Sequence, residues 1–202
     1  MQGKFVKQGE LEAIQKEYEI LQKLNTIEKN NNIRLFPKVY SFNQVGNCGI
    51  LTMEKIDGVT LNDYKIKSKV QLVECMKAVA RGLVILHTLR PSVIWCDCKP
   101  TNILVDNQNK IYLIDFDRAL LLEYFRPMKC YGTMEYAAPE QKNGGEIDGR
   151  TDIYGFGMTF QQMEIPFYWT KIKKVLKKCV ELNPSDRFQT SGELLYELNQ
   201  LI

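Results

Sequence analysis

The polar residues Asp97, Lys99 and Asn102 interrupt an apolar stretch that runs from Trp95 to Val105, and Asp115 closes the next apolar run, Ile111-Tyr112-Leu113-Ile114. No other feature of the chain constrains its fold as strongly. Charged groups set among apolar strands must be paired or put to use, because burying them bare is costly. The four residues fall within nineteen positions, at steps of two, five and eighteen from Asp97. A carboxylate can orient an attacking hydroxyl and accept its proton. An ammonium two residues on can neutralise phosphoryl oxygens, and the oxygens of Asn102 and Asp115 suit a hard cation such as Mg2+. Any one of these residues could equally cap a helix or sit in a solvated turn. The four at this spacing point to the handling of a phosphate and its metal.

Bulk properties narrow the setting. A chain of 202 residues is long enough for one domain with its own core. With 45% hydrophobic and 25% charged residues it has the balance of a globular protein, and a net charge of +3 argues against a nucleic-acid partner. No apolar run approaches the ~20 residues that span a bilayer, and no secretory leader opens the sequence, so no membrane contact is expected. The six cysteines (48, 75, 96, 98, 130 and 179) include no C-x-x-C pair, and His87 is the single histidine, which leaves no zinc-ligand set. Scattered thiols suit a reducing compartment, so the expected location is cytoplasmic.

Periodicity then orders the chain. Lys4-Phe5-Val6-Lys7 reads as a strand. A helix from Glu10 to Lys29 carries Leu11, Ile14, Tyr18, Leu21, Leu24 and Ile27 at three- and four-residue steps, and Asn30-Asn31-Asn32 ends it. Residues 37–42 and 48–53 read as a hairpin turned at Gly46-Asn47, with a connector over 54–58. A helix over 69–88 sets Leu72, Val73, Met76, Val79, Ala80, Leu83 and Leu86 on one face and breaks at Arg90-Pro91. The runs 103–105 and 111–114 make a small hairpin around Asp106-Asn107-Gln108-Asn109. After a loop to Glu140, helices are expected near 151–163, 169–182 and 191–201. Lysines 171, 173, 174, 177 and 178 lie opposite Ile172, Val175, Leu176, Cys179 and Val180, the pattern of a solvated face. A strand-rich beginning and a helical remainder make an α+β layout.

Taken together, Asp97-Cys98-Lys99-Pro100-Thr101-Asn102 and Asp115-Phe116-Asp117 resemble the H-R-D-x-K-P-x-N and D-F-G segments of eukaryotic-type protein kinases, in the style of bacterial Ser/Thr kinases. The acid, the lysine and the asparagine match; the flanking histidine, arginine and glycine do not. Other segments resemble the family in the same order. Gly132 to Glu140 is similar to the end of the activation segment, which implies that Glu140 pairs with Arg187. Thr133 resembles the threonine that contacts the catalytic aspartate, and Asp152 the helix aspartate that braces the catalytic loop. His87 resembles a structural histidine of the long helix. Residues 16–24 resemble the helix whose glutamate, here Glu17, pairs with the ATP-binding lysine, for which Lys7 is preferred to Lys4. Met53 and Glu54 resemble the rim and hinge of the adenine pocket, with backbone groups near Glu54 and Ile56 binding the base.

The resemblance implies an α+β, two-lobed protein-kinase-like fold in one domain, 1–202, with a reduced N-terminal lobe (1–55) and a mainly helical C-terminal lobe (56–202). It also implies ATP and Mg2+ as cofactors and transfer to Ser or Thr of a protein substrate. Asp97, Lys99, Asn102 and Asp115 would be catalytic, Asn102 and Asp115 as metal ligands. Four departures stand against it. No glycine-rich loop precedes Lys7, so cover for the triphosphate would come from elsewhere, such as a partner completing the N-terminal lobe. Cys96 replaces the arginine that reads a phosphorylated activation loop, so Tyr131→Ala is expected to change activity little. Asp117 replaces glycine, which costs backbone freedom and adds a carboxylate near the metal; Asp-Phe-Asp-Arg also occurs in kinases of sugars. Residues 161–170 are too few for the extra helix that docks protein substrates. A pseudokinase serving as a binding module and a small-molecule kinase are therefore the alternatives.

Overall fold

In the computed structural model, which describes residues 3–122 and 132–201, β1 (Lys4–Glu10), β2 (Val39–Val45) and β3 (Cys48–Glu54) form an antiparallel sheet in the order β1-β3-β2. The hairpin turns at Gly46, whose φ of 57° suits glycine. β1 runs three residues beyond the expected strand because β3 offers partners along its whole length, from Lys4 opposite Glu54 to Glu10 opposite Cys48. Helix α1 (Leu11–Asn31) lies on this sheet, burying Ile14, Ile20, Leu21 and Leu24. It approaches so closely at Gly49 that a Cβ there would stand 2.8 Å from Ile14 Cβ. Asn32 ends the helix in the left-handed conformation, φ 52°, and its N–H donates to Glu28 O.

The buried face of α1 is not all apolar. Glu17 and Glu28 share it, while Leu11, Tyr18 and Ile27, expected there, are only half-buried. Glu28 accepts the backbone N–H groups of Leu35 and Phe36 (3.0 Å for Phe36), so the chain leaving the helix is pinned back onto it. A second sheet, order β4-β6-β7, joins β4 (Gly58–Thr60), β6 (Ile103–Asp106) and β7 (Ile111–Leu113). β4 was expected as connector. Three residues are too few to show alternation, and the strand exists because β6 lies beside it.

The chain divides into two compact units, Met1–Tyr64 with Thr101–Arg118, and Lys65–Pro100 with Ala119–Ile202. The pairing of β4 with β6 gathers the 103–113 hairpin into the first unit.

In the second unit, α2 (Lys69–Thr88) starts at Ser68, whose side chain accepts from Gln71 N, and buries all seven of the apolar residues expected on its face. It packs on α4 (Gly149–Gln161) and α6 (Ser191–Asn199), and α4 packs on α5 (Thr170–Cys179). β5 (Ser92–Ile94) pairs with β8 (Leu120–Leu122), and a short helix, α3 (Pro139–Asn143), follows. None of these three short elements was visible as periodicity. The five α5 lysines are exposed, and residues 162–169 hold no helix. Among the described residues no helix is long and apolar enough to cross a membrane.

Candidate active site

In the first unit the side chains converge on Lys7. Its ammonium donates to Glu17 Oε2 at 2.7 Å and to Asp115 Oδ1 at 2.5 Å, and lies 3.1 Å from Asp117 Oδ2. Lys4 is elsewhere, over the ring of Tyr40. Glu17 is buried on α1, and its second oxygen accepts Phe116 N–H at 3.0 Å, so one carboxylate ties the strand lysine to the segment carrying Asp115. Burial alone would lower the Lys7 pKa, but the carboxylates of Glu17 and Asp115 outweigh it and hold the ammonium above the ordinary lysine range. Asp115 takes a φ of 68°, a left-handed conformation that Asp tolerates better than most residues. Asn102 is buried, and its carbonyl accepts Ile114 N–H at 3.0 Å, which fixes it to the residue before Asp115. Positive φ among described non-glycine residues is confined to Asn32, Cys96, Asn109 and Asp115. Asp117 therefore sits on ordinary backbone, and the replaced glycine was not needed for conformation.

Beside Lys7 opens a cavity of about 340 Å³ lined by Phe5, Lys7, Glu17, Pro37, Met53, Glu54, Lys55, Ile56, Leu104, Ile114 and Asp115. Every ligand-binding residue expected from sequence, Lys7, Glu17, Met53, Glu54 and Ile56, lines it. The Glu54 side chain is buried, pairs with Arg34 and accepts Lys38 N–H. Phe5, Leu104 and Ile114 were not singled out from sequence. Leu104 had a usable signal: Ile103 and Val105 are buried and Leu104 half-buried, so alternation turns it to the other face of β6.

In the second unit Asp97 is buried and fully engaged. Its Oδ1 accepts Thr133 N–H at 2.9 Å and Thr133 Oγ1 at 2.8 Å, and its Oδ2 lies 2.8 Å from Lys99 Nζ. Burial would raise its pKa, but Lys99 and the two Thr133 donors prevail and hold the carboxyl below its ordinary value. Lys99 also donates to Thr133 Oγ1 at 2.7 Å. Cys98, between them, points the other way: it is buried, and burial pushes its thiol well above the usual range, so it is no nucleophile.

Two further arrangements hold this loop. Asp152, on α4, accepts Trp95 N–H at 2.8 Å and Cys96 N–H at 2.7 Å, and lies 2.9 Å from His87 Nε2. Glu140, on α3, is gripped by the Arg187 guanidinium, Nη1 to Oε1 at 2.6 Å and Nη2 to Oε2 at 2.9 Å. Both match the structural roles expected of Asp152, His87, Glu140 and Arg187. Asp152→Ala would leave two buried backbone N–H groups without their acceptor, at roughly 1–3 kcal/mol each. Urea denaturation should show a loss of about 3 kcal/mol; a change under ~0.5 kcal/mol would mean other acceptors replace the carboxylate. Cys96 lies in an apolar cluster with Ile94, Leu120 and Ile147. Tyr131, expected to be dispensable, lies outside the described residues.

The family model described as protein kinase domain matches residues 2–189. Among curated proteins the chain is similar to a probable serine/threonine-protein kinase of Clostridium acetobutylicum, 25% identical over 81% of this chain and 30% of that protein. It is similar to phytosulfokine receptor 2 of Arabidopsis thaliana, 32% identical over 77% of this chain and 15% of the receptor. It is also similar to serine/threonine-protein kinase D of Synechocystis, 28% identical over 93% of this chain and 42% of that kinase. The chain thus spans less than half the length of each of these relatives.

Proposed function

The chain belongs to the protein kinase domain family, and from that membership we propose that it transfers the terminal phosphoryl group of ATP, with Mg2+, to Ser or Thr hydroxyls of protein substrates. One observation carries the reading: Lys7, Glu17 and Asp115, from remote stretches of the chain, meet at the rim of a cavity whose wall includes Met53, Glu54 and Ile56. Apolar side chains at Phe5, Met53, Leu104 and Ile114 suit a flat purine, and the backbone at Glu54 and Ile56 offers the polar groups that orient it.

Lys7, steadied by Glu17, would meet phosphate oxygens. The oxygen donors of Asn102 and Asp115 fit a hard divalent cation, and Mg2+ held there would neutralise charge on the phosphates. Asp97, ionised at neutral pH, would orient the substrate hydroxyl and accept its proton, while Lys99 would offset charge on the transferring group. Thr133 fixes one Asp97 oxygen, which leaves the proton-accepting geometry set before substrate arrives.

The neutral cluster of Cys96 with Ile94, Leu120 and Ile147 supports a reading in which no phosphate latch acts at position 96. The free cysteines among the described residues suit a cytoplasmic setting. A partner completing the first sheet is part of the proposal, since β1 stands at its edge with Phe5 and Val6 exposed.

The test is to incubate the protein with Mg2+, labelled ATP and a generic basic protein, beside the Asp97→Asn variant. Label transferred by the parent and lost in the variant supports the proposal. No transfer by either at high ATP would favour a binding module with a kinase fold, and label on sugars alone a small-molecule kinase.

A further inference from the structure

The residue before Asp97 is held in an uncommon shape. Cys96 is buried and takes a φ of 66°, a left-handed conformation that a non-glycine side chain disfavours. Such a residue persists where its surroundings hold it on more than one side. On one side, Cys96 N–H donates to Asp152 Oδ1 at 2.7 Å. On the other, the Cys96 carbonyl accepts Gln141 Nε2 at 2.9 Å. That carbonyl belongs to the peptide unit from which Asp97 grows.

The Gln141 amide is itself fixed. Its Oε1 accepts Ala138 N–H at 2.8 Å, and its backbone N–H donates to Ala138 O at 3.0 Å, so both ends of the residue are tied to the start of α3. Turned over, the amide would set N–H against N–H and oxygen against oxygen. Only one orientation therefore serves both partners. Gly132 packs onto the same bond, and a Cβ there would stand 2.7 Å from Cys96 O and 2.8 Å from Gln141 Nε2. The next residue is Thr133, whose N–H and Oγ1 donate to Asp97. The backbone behind Asp97 and the segment that grips its carboxylate thus meet at one side chain.

We propose that Gln141 is a positioning residue for Asp97: its amide clamps the Cys96 carbonyl, and through it sets the direction of the carboxylate that accepts the substrate's proton. The proposal rests on the phosphoryl-transfer reading above and adds a residue to it. Thr133 and Lys99 hold the carboxylate, while Gln141 and Asp152 hold the turn that carries it. An amide does not titrate, so this hold on the carbonyl is constant with pH.

The deciding variant is Gln141→Glu. A carboxylate still accepts Ala138 N–H, since glutamine and glutamate both serve at this position of a helix start. It has no N–H for Cys96 O and turns an oxygen toward it. A residue that served only to start α3 would tolerate the change. The expected result is a kcat for transfer about tenfold lower, with KM for ATP within twofold of the parent. Gln141→Met, which keeps the bulk and loses both contacts, should show the same split. A second measurement needs no activity: amide hydrogen exchange followed by NMR. In Gln141→Glu the Cys96 and Thr133 amides should exchange several-fold faster, while those of Val79 and Leu83 in α2 keep their rates. A kcat within twofold of the parent in both variants overturns the proposal, as do unchanged rates at Cys96 and Thr133 or a rise shared by α2. A parent that transfers no phosphate overturns the kinase reading instead, and the exchange rates still decide whether Gln141 holds the turn.

Discussion

Asp97→Asn is expected to lower phosphoryl transfer about a thousandfold, within the range that a positioned general base contributes. The reasoning starts from the three contacts on the carboxylate. Thr133 N–H and Oγ1 bind Oδ1, and an amide oxygen can take over that role. Lys99 binds Oδ2, and an amide NH2 placed there would face an ammonium, donor against donor. Lys99 is partly exposed and can turn to water, so the variant should keep its cooperative melt while losing its proton acceptor. The pH profile supplies a second reading. Lys99 and the Thr133 donors hold the native carboxyl below its ordinary value, so it stays ionised as pH falls to the ordinary carboxylate range. A depressed native pKa contributes stability above the unfolded value that is lost as pH falls through the native one, so both activity and this part of stability should hold down to the ordinary carboxylate range. Transfer by Asp97→Asn within tenfold of the parent, or an acid limb near neutrality, would remove Asp97 from the role of base.

Arg187→Ala is expected to cost about 3–5 kcal/mol, the usual result of removing one partner of a buried ion pair. The Arg187 side chain is fully buried and forks onto both oxygens of Glu140. Its remaining donors serve the carbonyls of Glu181, Arg150 and Leu182, and its plane lies 4.8 Å from the centre of the Tyr154 ring. The truncation leaves a carboxylate without its cation and three carbonyls without donors. Against a typical total of roughly 5–15 kcal/mol, that loss brings the domain near unfolding at ambient temperature. Arg187→Lys should recover only a minor part, because an ammonium cannot reproduce a planar fork. Joint replacement by Met at 187 and Leu at 140 should be far milder than Arg187→Ala, since no buried charge is left bare. Thermal and urea unfolding of the four proteins would measure this, and a single-variant loss below ~1 kcal/mol would show the pair to be dispensable.

How far the fold was legible depended on how local each signal was. α2 could be read residue by residue, because one apolar face buried against two neighbouring helices leaves a clean 3.6-residue period. α1 could be read as a helix but not as a surface. Glu17 and Glu28 take core positions there, and an acid is tolerated in a core only because of what arrives from elsewhere: Lys7 for one, the Leu35 and Phe36 N–H groups for the other. β4, β5 and β8 have three residues each, too few for a pattern, and are strands only by virtue of their partners.

By itself the sequence determined the types of residue available and their steps along the chain. An acid, a lysine and two oxygen donors at two, five and eighteen residues belong to phosphoryl chemistry whatever else surrounds them. Local periodicity determined which long segments became helices and which the main hairpin. The tertiary structure alone decided how charges pair. Lys4 and Lys7 share a strand and a composition, but an odd step turns them to opposite faces, and only Lys7 meets acids brought from 10 and 108 residues away. It alone also set Asp117 against that same ammonium, from backbone that glycine was not required to make. Ionic contacts act over a few ångströms, and distance along the chain says little about distance in space until the strands and helices are packed.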